Sequence, residues 1–444
     1  MLDLGYLVVA LLALPWVVWR KISGGRPVAA PWTRLTGNVV RLPPAAGPRI
    51  WLHGVSVGEV QLLASLAEEL HRQAAAADRS IDCVVSSSTT TGLEVAAKRC
   101  AADRTFPCPL DFSWAVRRAL DRVRPALLVL GELELWPNLL AIAQARGVPI
   151  IVVNARMSER SFRGYCRLGP LARRMLGRTS LVIARSPADA DRFTALGAPT
   201  VVMAGSMKFD GVAGNRADPA VLRLRQLAGI PDDALVFLAG STQAPEEELA
   251  IATFQELATA HPRLRLVIVP RHVERTPEIV ALLEASRMPW QLRSRLEADG
   301  ADPAARVLLV DSTGELGWWW GSATIAFVGG SLDGKRGGQN MIEPAAYGAA
   351  VAFGPHTCNF RAEAQLLLEA DAAEVVHSGS ELTAFVRRCL DDADFAVARG
   401  QRAAALVASQ RGSRATTAAM ILDRVFGGGF RNRLPETPAK STAG

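Results

Sequence analysis

Carboxylates standing where an apolar strand gives way to a helix are the residues of this chain best placed to move a proton. Glu59 is one. WLHGVSVGEV (Trp51–Val60) reads as a strand ending near Ser56, a turn at Gly58 and a helix started by Glu59. A carboxylate there either takes a proton from a bound hydroxyl or simply complements the positive end of the helix dipole. GELELWPN (Gly131–Asn138) brings two more acids, Glu132 and Glu134, behind a fully apolar strand. Alternation puts both on one face if the strand continues, with Trp136 beside them. NARMSERSFRGY (Asn154–Tyr165) gathers Arg156, Arg160 and Arg163, which suits either an anionic ligand or a solvated basic face. GSMKFD (Gly205–Asp210) carries Lys208 just past a strand. That lysine is one of five, at 21, 98, 208, 335 and 440, among 50 basic residues, so it stands out in an arginine-rich chain.

The second half has its own set. GSTQAPEEE (Gly240–Glu248) is a strand-to-helix turn of small residues and hydroxyls, PRH (Pro270–His272) sets Arg271 at a strand's end, and STGELG (Ser312–Gly317) is another such turn. In VGGSLDGKRGGQNMIEPAA (Val328–Ala346) the glycines let backbone N–H groups approach a phosphate, and Asn340 opens a helix whose positive end faces the loop. Glu343, three residues on, either accepts from ribose hydroxyls or completes a capping box with Asn340. Neither GxGxxG nor GxxxxGKS/T occurs in the required context, which turns the reading away from dinucleotide and P-loop NTPase sites.

These loops need strands behind them. Apolar runs fall at Arg49–Ser56, Asp82–Thr89, Ala126–Glu132, Pro149–Arg156, Ser180–Ser186 and Thr200–Ser206, with helical patterns such as Glu59–Ala76, Trp114–Val123, Asn138–Arg146 and Pro187–Leu196 between them. The rhythm pauses at the Gly- and Asp-rich Phe209–Asp218. It resumes with Leu235–Ser241, Leu264–Arg271, Arg306–Asp311, Thr324–Ser331, Ala350–Gly354 and Ala373–His377. This predicts an α/β chain of two Rossmann-like domains, residues 23–210 and 211–426, with ligands beyond the carboxyl ends of the strands and lying between the halves. Asp394–Phe426 reads as one long helical region broken at Gly400 or Gly412, and 427–444 as a disordered tail.

Composition sets the bounds. A length of 444 residues suits two domains, and 49% hydrophobic residues suffice for sizeable cores. A net charge of +7 favours an anionic partner, while the lack of a lysine-rich stripe or an aromatic-and-basic RNA signature argues against nucleic acid. The six cysteines form no CxxC pair, which points to a reducing compartment, and the six scattered histidines offer no metal cluster. Leu4–Trp19 is uncharged and followed by Arg20, Lys21 and Arg26, the pattern of a membrane anchor (residues 1–22) with a cytoplasmic body; a buried helix of the first domain is the alternative.

In order, HGVSVGEV, SSSTTTG, ELELWPN, NARMSERSFRGY, GSMKFD, GSTQAPEEE, PRH, TGELG and GGQNMIEPAA resemble the motifs of the 3-deoxy-D-manno-octulosonic acid (Kdo) transferases, from the anchor to about Phe360. The resemblance implies a GT-B fold, with an acceptor-binding domain before a donor-binding one. It implies a place on the cytoplasmic face of the inner membrane and transfer of Kdo from CMP-Kdo to a lipid A precursor, with no metal and no cofactor. Glu59 then matches the catalytic base, and Glu132 and Lys208 match positions that stabilise the transition state. CMP contacts carry over to Pro270, Arg271, Thr313, Gly314, Glu315, Asn340, Met341, Ile342 and Glu343. Two departures stand in the nucleotide half, where Gln243 and Gln339 replace the family's histidines; glutamine keeps a donor and an acceptor but no imidazole. The alternatives are another enzyme of the same fold using a UDP-sugar, such as a lipid-linked N-acetylglucosaminyltransferase or a 2-epimerase, and a nucleotide-sugar binding protein without turnover.

Overall fold

The computed structural model describes residues 3, 4, 6, 7, 30–39, 42–212 and 214–427. Most of the expected anchor and the whole of 428–444 therefore lie outside the described residues. Among the described residues no helix is long and apolar enough to cross a membrane.

Every run expected as a strand contains one; the central strands are short apolar stretches buried on both faces, as a parallel sheet covered by helices requires, while the edge strands Val201–Met203 and Ala373–Val375 are only partly buried. The chain forms two compact units, residues 1–210 with 411–444, and residues 211–410. The first unit holds a seven-stranded sheet in the order β3-β2-β1-β4-β5-β6-β7. Its strands are β1 (Arg49–Gly54), β2 (Asp82–Ser87), β3 (Thr105–Pro107), β4 (Leu127–Gly131), β5 (Ile150–Ala155), β6 (Leu181–Ala184) and β7 (Val201–Met203), all paired in parallel. The second unit holds another, in the order β10-β11-β9-β8-β12-β13-β14. Here the strands are β8 (Leu235–Thr242), β9 (Leu264–Pro270), β10 (Trp290–Leu292), β11 (Val307–Leu309), β12 (Ile325–Val328), β13 (Ala350–Phe353) and β14 (Ala373–Val375), again all parallel.

The two orders explain where ligands can sit. In the first sheet the chain winds outward from β1 to β3, then returns to lay β4 on the other side of β1. In the second it winds outward from β8 and returns to lay β12 beside it. Connections diverge at these switch points and leave a crevice at the carboxyl ends of β1/β4 and of β8/β12.

Two details correct the expected layout. The second unit ends at Gln410 rather than at residue 426. The last helix, Ser413–Phe426, buries Ala418, Ile421 and Leu422 in the same core as Leu63, Leu66 and Leu70 of the Val57–Ala76 helix. Asp210 fixes the return, since its carboxylate accepts from the backbone N–H groups of Gly412 and Arg414. The break in the long helical region falls at Arg411–Gly412, where Gly412 has φ 97°, and not at Gly400.

Gly400 has a different reason to be glycine. It lies inside the Ala393–Gln410 helix, and a Cβ there would sit 2.1 Å from the backbone oxygen of Gly348. Alanine in a helix interior ordinarily gains about 1 kcal/mol over glycine. Here overpacking against backbone costs about 1–3 kcal/mol and outweighs the gain. Gly400→Ala should lower stability in urea denaturation; a more stable variant would contradict the packing described.

Candidate active site

Each expected catalytic residue of the first unit stands at the carboxyl edge of its sheet. β1 ends at Gly54, Val55 and Ser56 make the turn, and the helix begins at Val57. Gly58 is thus in the first helical turn and does not make the bend assigned to it. Ser56 caps the helix, its Oγ accepting from the Glu59 N–H at 3.2 Å. The Glu59 carboxylate accepts from Val55 N–H at 2.9 Å and from Ser56 Oγ at 2.7 Å. Glu59 therefore does complete a capping box. Each of its oxygens still has a second lone pair with which to take a proton. SSSTTTG supports this turn from the next strand: Ser87 Oγ and Thr89 Oγ1 both donate to the Val55 carbonyl, at 3.1 and 2.8 Å. His53 opens the motif but lies buried, with Nδ1 3.0 Å from Ser86 Oγ. Burial pushes its imidazole down to about 4, so it is neutral at pH 7.

β4 stops at Gly131, so Glu132 and Glu134 do not share a strand face as expected. Glu132 turns the chain with φ 51°, a left-handed conformation that a side chain with Cβ adopts at a cost. The two acids nonetheless gather around Glu59. Burial pushes the Glu132 carboxyl above the usual range; Lys208 opposes this, Glu59 adds to it, and Arg156 and Arg185 oppose it. Burial also pushes Glu134 up to about 7, helped by Glu59 and Glu132, while the hydrogen bond from Trp136 Nε1 at 3.0 Å opposes it. Lys208 lies in the short Met207–Gly211 turn, held by the Met207 N–H donating to Asn154 Oδ1 at 3.1 Å. Asn154 is itself left-handed, with φ 49°.

The arginine motif divides. Arg156 acts on Glu132, whereas Arg160 and Arg163 lie exposed on the Glu159–Leu168 helix. Arg185 was not anticipated: its side chain is buried and pairs with Asp189 at 3.8 Å. The sequence signal was Ser186 and Asp189, a helix-capping pair directly after the β6 run.

In the second unit the expected donor residues share the carboxyl edge of one sheet. Pro270 ends β9, and the Arg271 N–H donates to Thr242 O at 3.0 Å while its side chain is exposed. Thr313 and Gly314 follow β11 and are exposed, with nothing near a Cβ on Gly314. Glu315 beside them is already engaged. Arg293 grips it through Nε and Nη2, at 2.9 and 2.7 Å, and Ser312 Oγ donates at 2.7 Å. Burial raises the Glu315 carboxyl, but those bonds outweigh it and hold it below the usual range.

After β12, Asn340 Oδ1 accepts from the Ile342 N–H at 3.1 Å and Asn340 Nδ2 donates to Glu343 Oε1 at 2.9 Å. One oxygen of Glu343 is therefore committed, and burial pushes its carboxyl up. The helix that follows spans only Ile342–Ala346, and Met341 and Ile342 are buried. Five residues sum too few peptide dipoles to make the strong anion site expected of a longer helix. The loop's shape comes from Glu246, which had no assigned role. Its carboxylate accepts from the N–H groups of Gln243, Gly330, Ser331 and Leu332, at 2.9, 2.7, 3.0 and 3.2 Å. Gln243 and Gln339 converge here too: a Cβ on Gly330 would lie 3.4 and 3.3 Å from their Nε2 atoms. Among the described residues no group of three or more His, Cys, Asp or Glu is arranged to hold a metal ion.

Comparison with known proteins fits this arrangement. Residues 32–211 match the family model described as 3-deoxy-D-manno-octulosonic-acid transferase (kdotransferase). The 3-deoxy-D-manno-octulosonic acid transferase of Bordetella pertussis is 33% identical over 392 residues, 83% of this chain and 87% of that protein. The Haemophilus influenzae protein of the same description is 32% identical over 344 residues, 76% and 78% of the two chains. Among solved structures, UDP-GlcNAc 2-epimerase from Neisseria meningitidis, bound to UDP-GlcNAc, has a TM-score of 0.54 at 12% identity, covering 85% of this chain and 99% of that one; the likeness is of fold alone. The chain belongs to the 3-deoxy-D-manno-octulosonic acid transferase family and is a glycosyltransferase.

Proposed function

We propose that this enzyme moves Kdo from CMP-Kdo onto a hydroxyl of a lipid A precursor, with inversion at the anomeric carbon. The observation that carries the reading is the gathering of Glu59, Glu132 and Lys208 at the switch point of the first sheet in a chain of this family. Glu59 takes the proton from the acceptor hydroxyl, whose oxygen bonds to the anomeric carbon as the bond from that carbon to the CMP phosphate oxygen breaks. CMP departs as the leaving group with the electron pair. Lys208 on the first unit stabilises the transition state, and on the second the exposed Arg271 holds phosphate charge, so that cationic side chains do the work a metal ion does elsewhere. The first unit takes the acceptor and the second the donor. The apolar run Leu4–Trp19 holds the enzyme on the cytoplasmic face of the inner membrane, beside its lipid acceptor.

Glu59→Gln should cut turnover by about 10²–10⁴, because an amide cannot take the proton, while CMP affinity stays within about twofold. Near-normal turnover would remove Glu59 from the role of base.

Lys208 is a lysine in a chain that otherwise prefers arginine, which points to a compact ammonium rather than a broad fork. Lys208→Ala and Lys208→Arg should each slow single-turnover transfer by roughly a hundred- to a thousandfold. Full activity with arginine would show that charge alone suffices.

The raised Glu134 carboxyl also makes a stability prediction. The native state binds this proton more tightly than the unfolded chain, so stability falls as pH rises from the ordinary glutamate range to about 7. Glu134→Gln should therefore raise Tm at pH 8 and leave it unchanged at pH 4. An equal effect at both values would contradict the cause assigned.

A further inference from the structure

Resting on that reading of the first unit's acids, we infer that Asp3 and Tyr6 are positioning residues for the loop Glu132–Trp136. The helix after that loop, Pro137–Ala145, starts without a cap of its own: Trp136, at the N-cap position, makes no side-chain capping bond. Its first N–H groups still need acceptors. Asp111 supplies them from a distant part of the chain, Oδ2 accepting from Asn138 N–H at 2.9 Å and Oδ1 from Leu139 N–H at 2.8 Å.

The segment near residue 3 closes this network. Tyr6 OH donates to Asp111 Oδ2 at 2.9 Å. Asp3 Oδ1 accepts from Ser113 N–H at 2.9 Å and from the Asn138 amide Nδ2 at 3.0 Å. The Tyr6 ring stands edge-on to Phe112, with centroids 5.9 Å apart, and Phe112 stacks on Trp114 at 4.5 Å. Asp111 burial would otherwise favour the neutral acid, which caps less well; the bonds from Asn138, Leu139 and Tyr6 oppose that. Asp3 and Tyr6 thus act through Asp111 and Asn138 on the start of the helix, and so on where Glu132 and Glu134 are held.

Hydrogen exchange and kinetics on the full chain test this together. In Asp3→Ala and Tyr6→Phe, peptides covering 132–141 should exchange roughly tenfold faster, the size expected for losing a hydrogen bond to a charged group. Peptides from β8 and β9 should be unchanged, which reports an intact fold. With CMP-Kdo and a lipid A precursor, kcat should fall about tenfold while KM for CMP-Kdo stays within about twofold. Asp3→Asn keeps the Oδ1 acceptor and should restore both readouts, separating position from charge. Unchanged exchange at 132–141, or faster exchange with unchanged kcat, would overturn the inference. If the unaltered enzyme transfers no Kdo, the proposed function fails, and the exchange measurement, which needs no substrate, still decides the role of Asp3 and Tyr6.

Discussion

Three carboxyl groups, Glu59, Glu132 and Glu134, crowd the carboxyl ends of β1 and β4, where burial disfavours charge on Glu132 and Glu134 and the nearby Glu59 adds to the effect on both. Holding them there is what the surrounding loops are built to do. Lys208, Arg156 and Arg185 come from three further strand ends to offset the repulsion at Glu132. The turn before Glu59 is tied to β2 through Ser87 and Thr89, and the turn bearing Lys208 is tied to β5 through Asn154. Two residues accept left-handed backbone to make the geometry, Glu132 and Asn154. Strain of that kind persists only where neighbouring contacts fix it.

The second unit uses its buried carboxylates differently. Glu246 spends its lone pairs on four backbone N–H groups and so shapes the glycine loop after β12. Glu315 is held by Arg293 and Ser312 and orders the turn that exposes Thr313 and Gly314. These acids shape the loops at the carboxyl edge of the second sheet, beside the exposed Arg271 and the two glutamines near Gly330.

The sheet strands were legible because parallel, doubly covered strands must be short apolar runs. The two that were not foreseen, β3 and β10, read Thr-Phe-Pro and Trp-Gln-Leu, each broken by a polar residue or proline and so making no apolar run. The Ser413–Phe426 helix shows another limit. Its periodicity predicts an apolar face, but not which sheet that face will cover, and it returns to the first unit. Glu59, Glu132 and Lys208 could be singled out because each follows a recognisable strand. Arg185, Glu246 and Arg293 were not, since their roles depend on partners that only the fold brings near. Glu134 was read as a strand-face neighbour of Glu132, whereas the chain turns between them at a φ no local pattern announced.

The central claim is that this arrangement transfers Kdo to a lipid acceptor. The most direct measurement incubates the purified full chain with CMP-Kdo generated in situ and a lipid A precursor, and follows precursor and CMP by mass spectrometry. The account predicts that the precursor gains Kdo as CMP is released in equal amount. A precursor left unmodified by enzyme that binds CMP, or one that gains its sugar from a UDP-sugar instead, would contradict it.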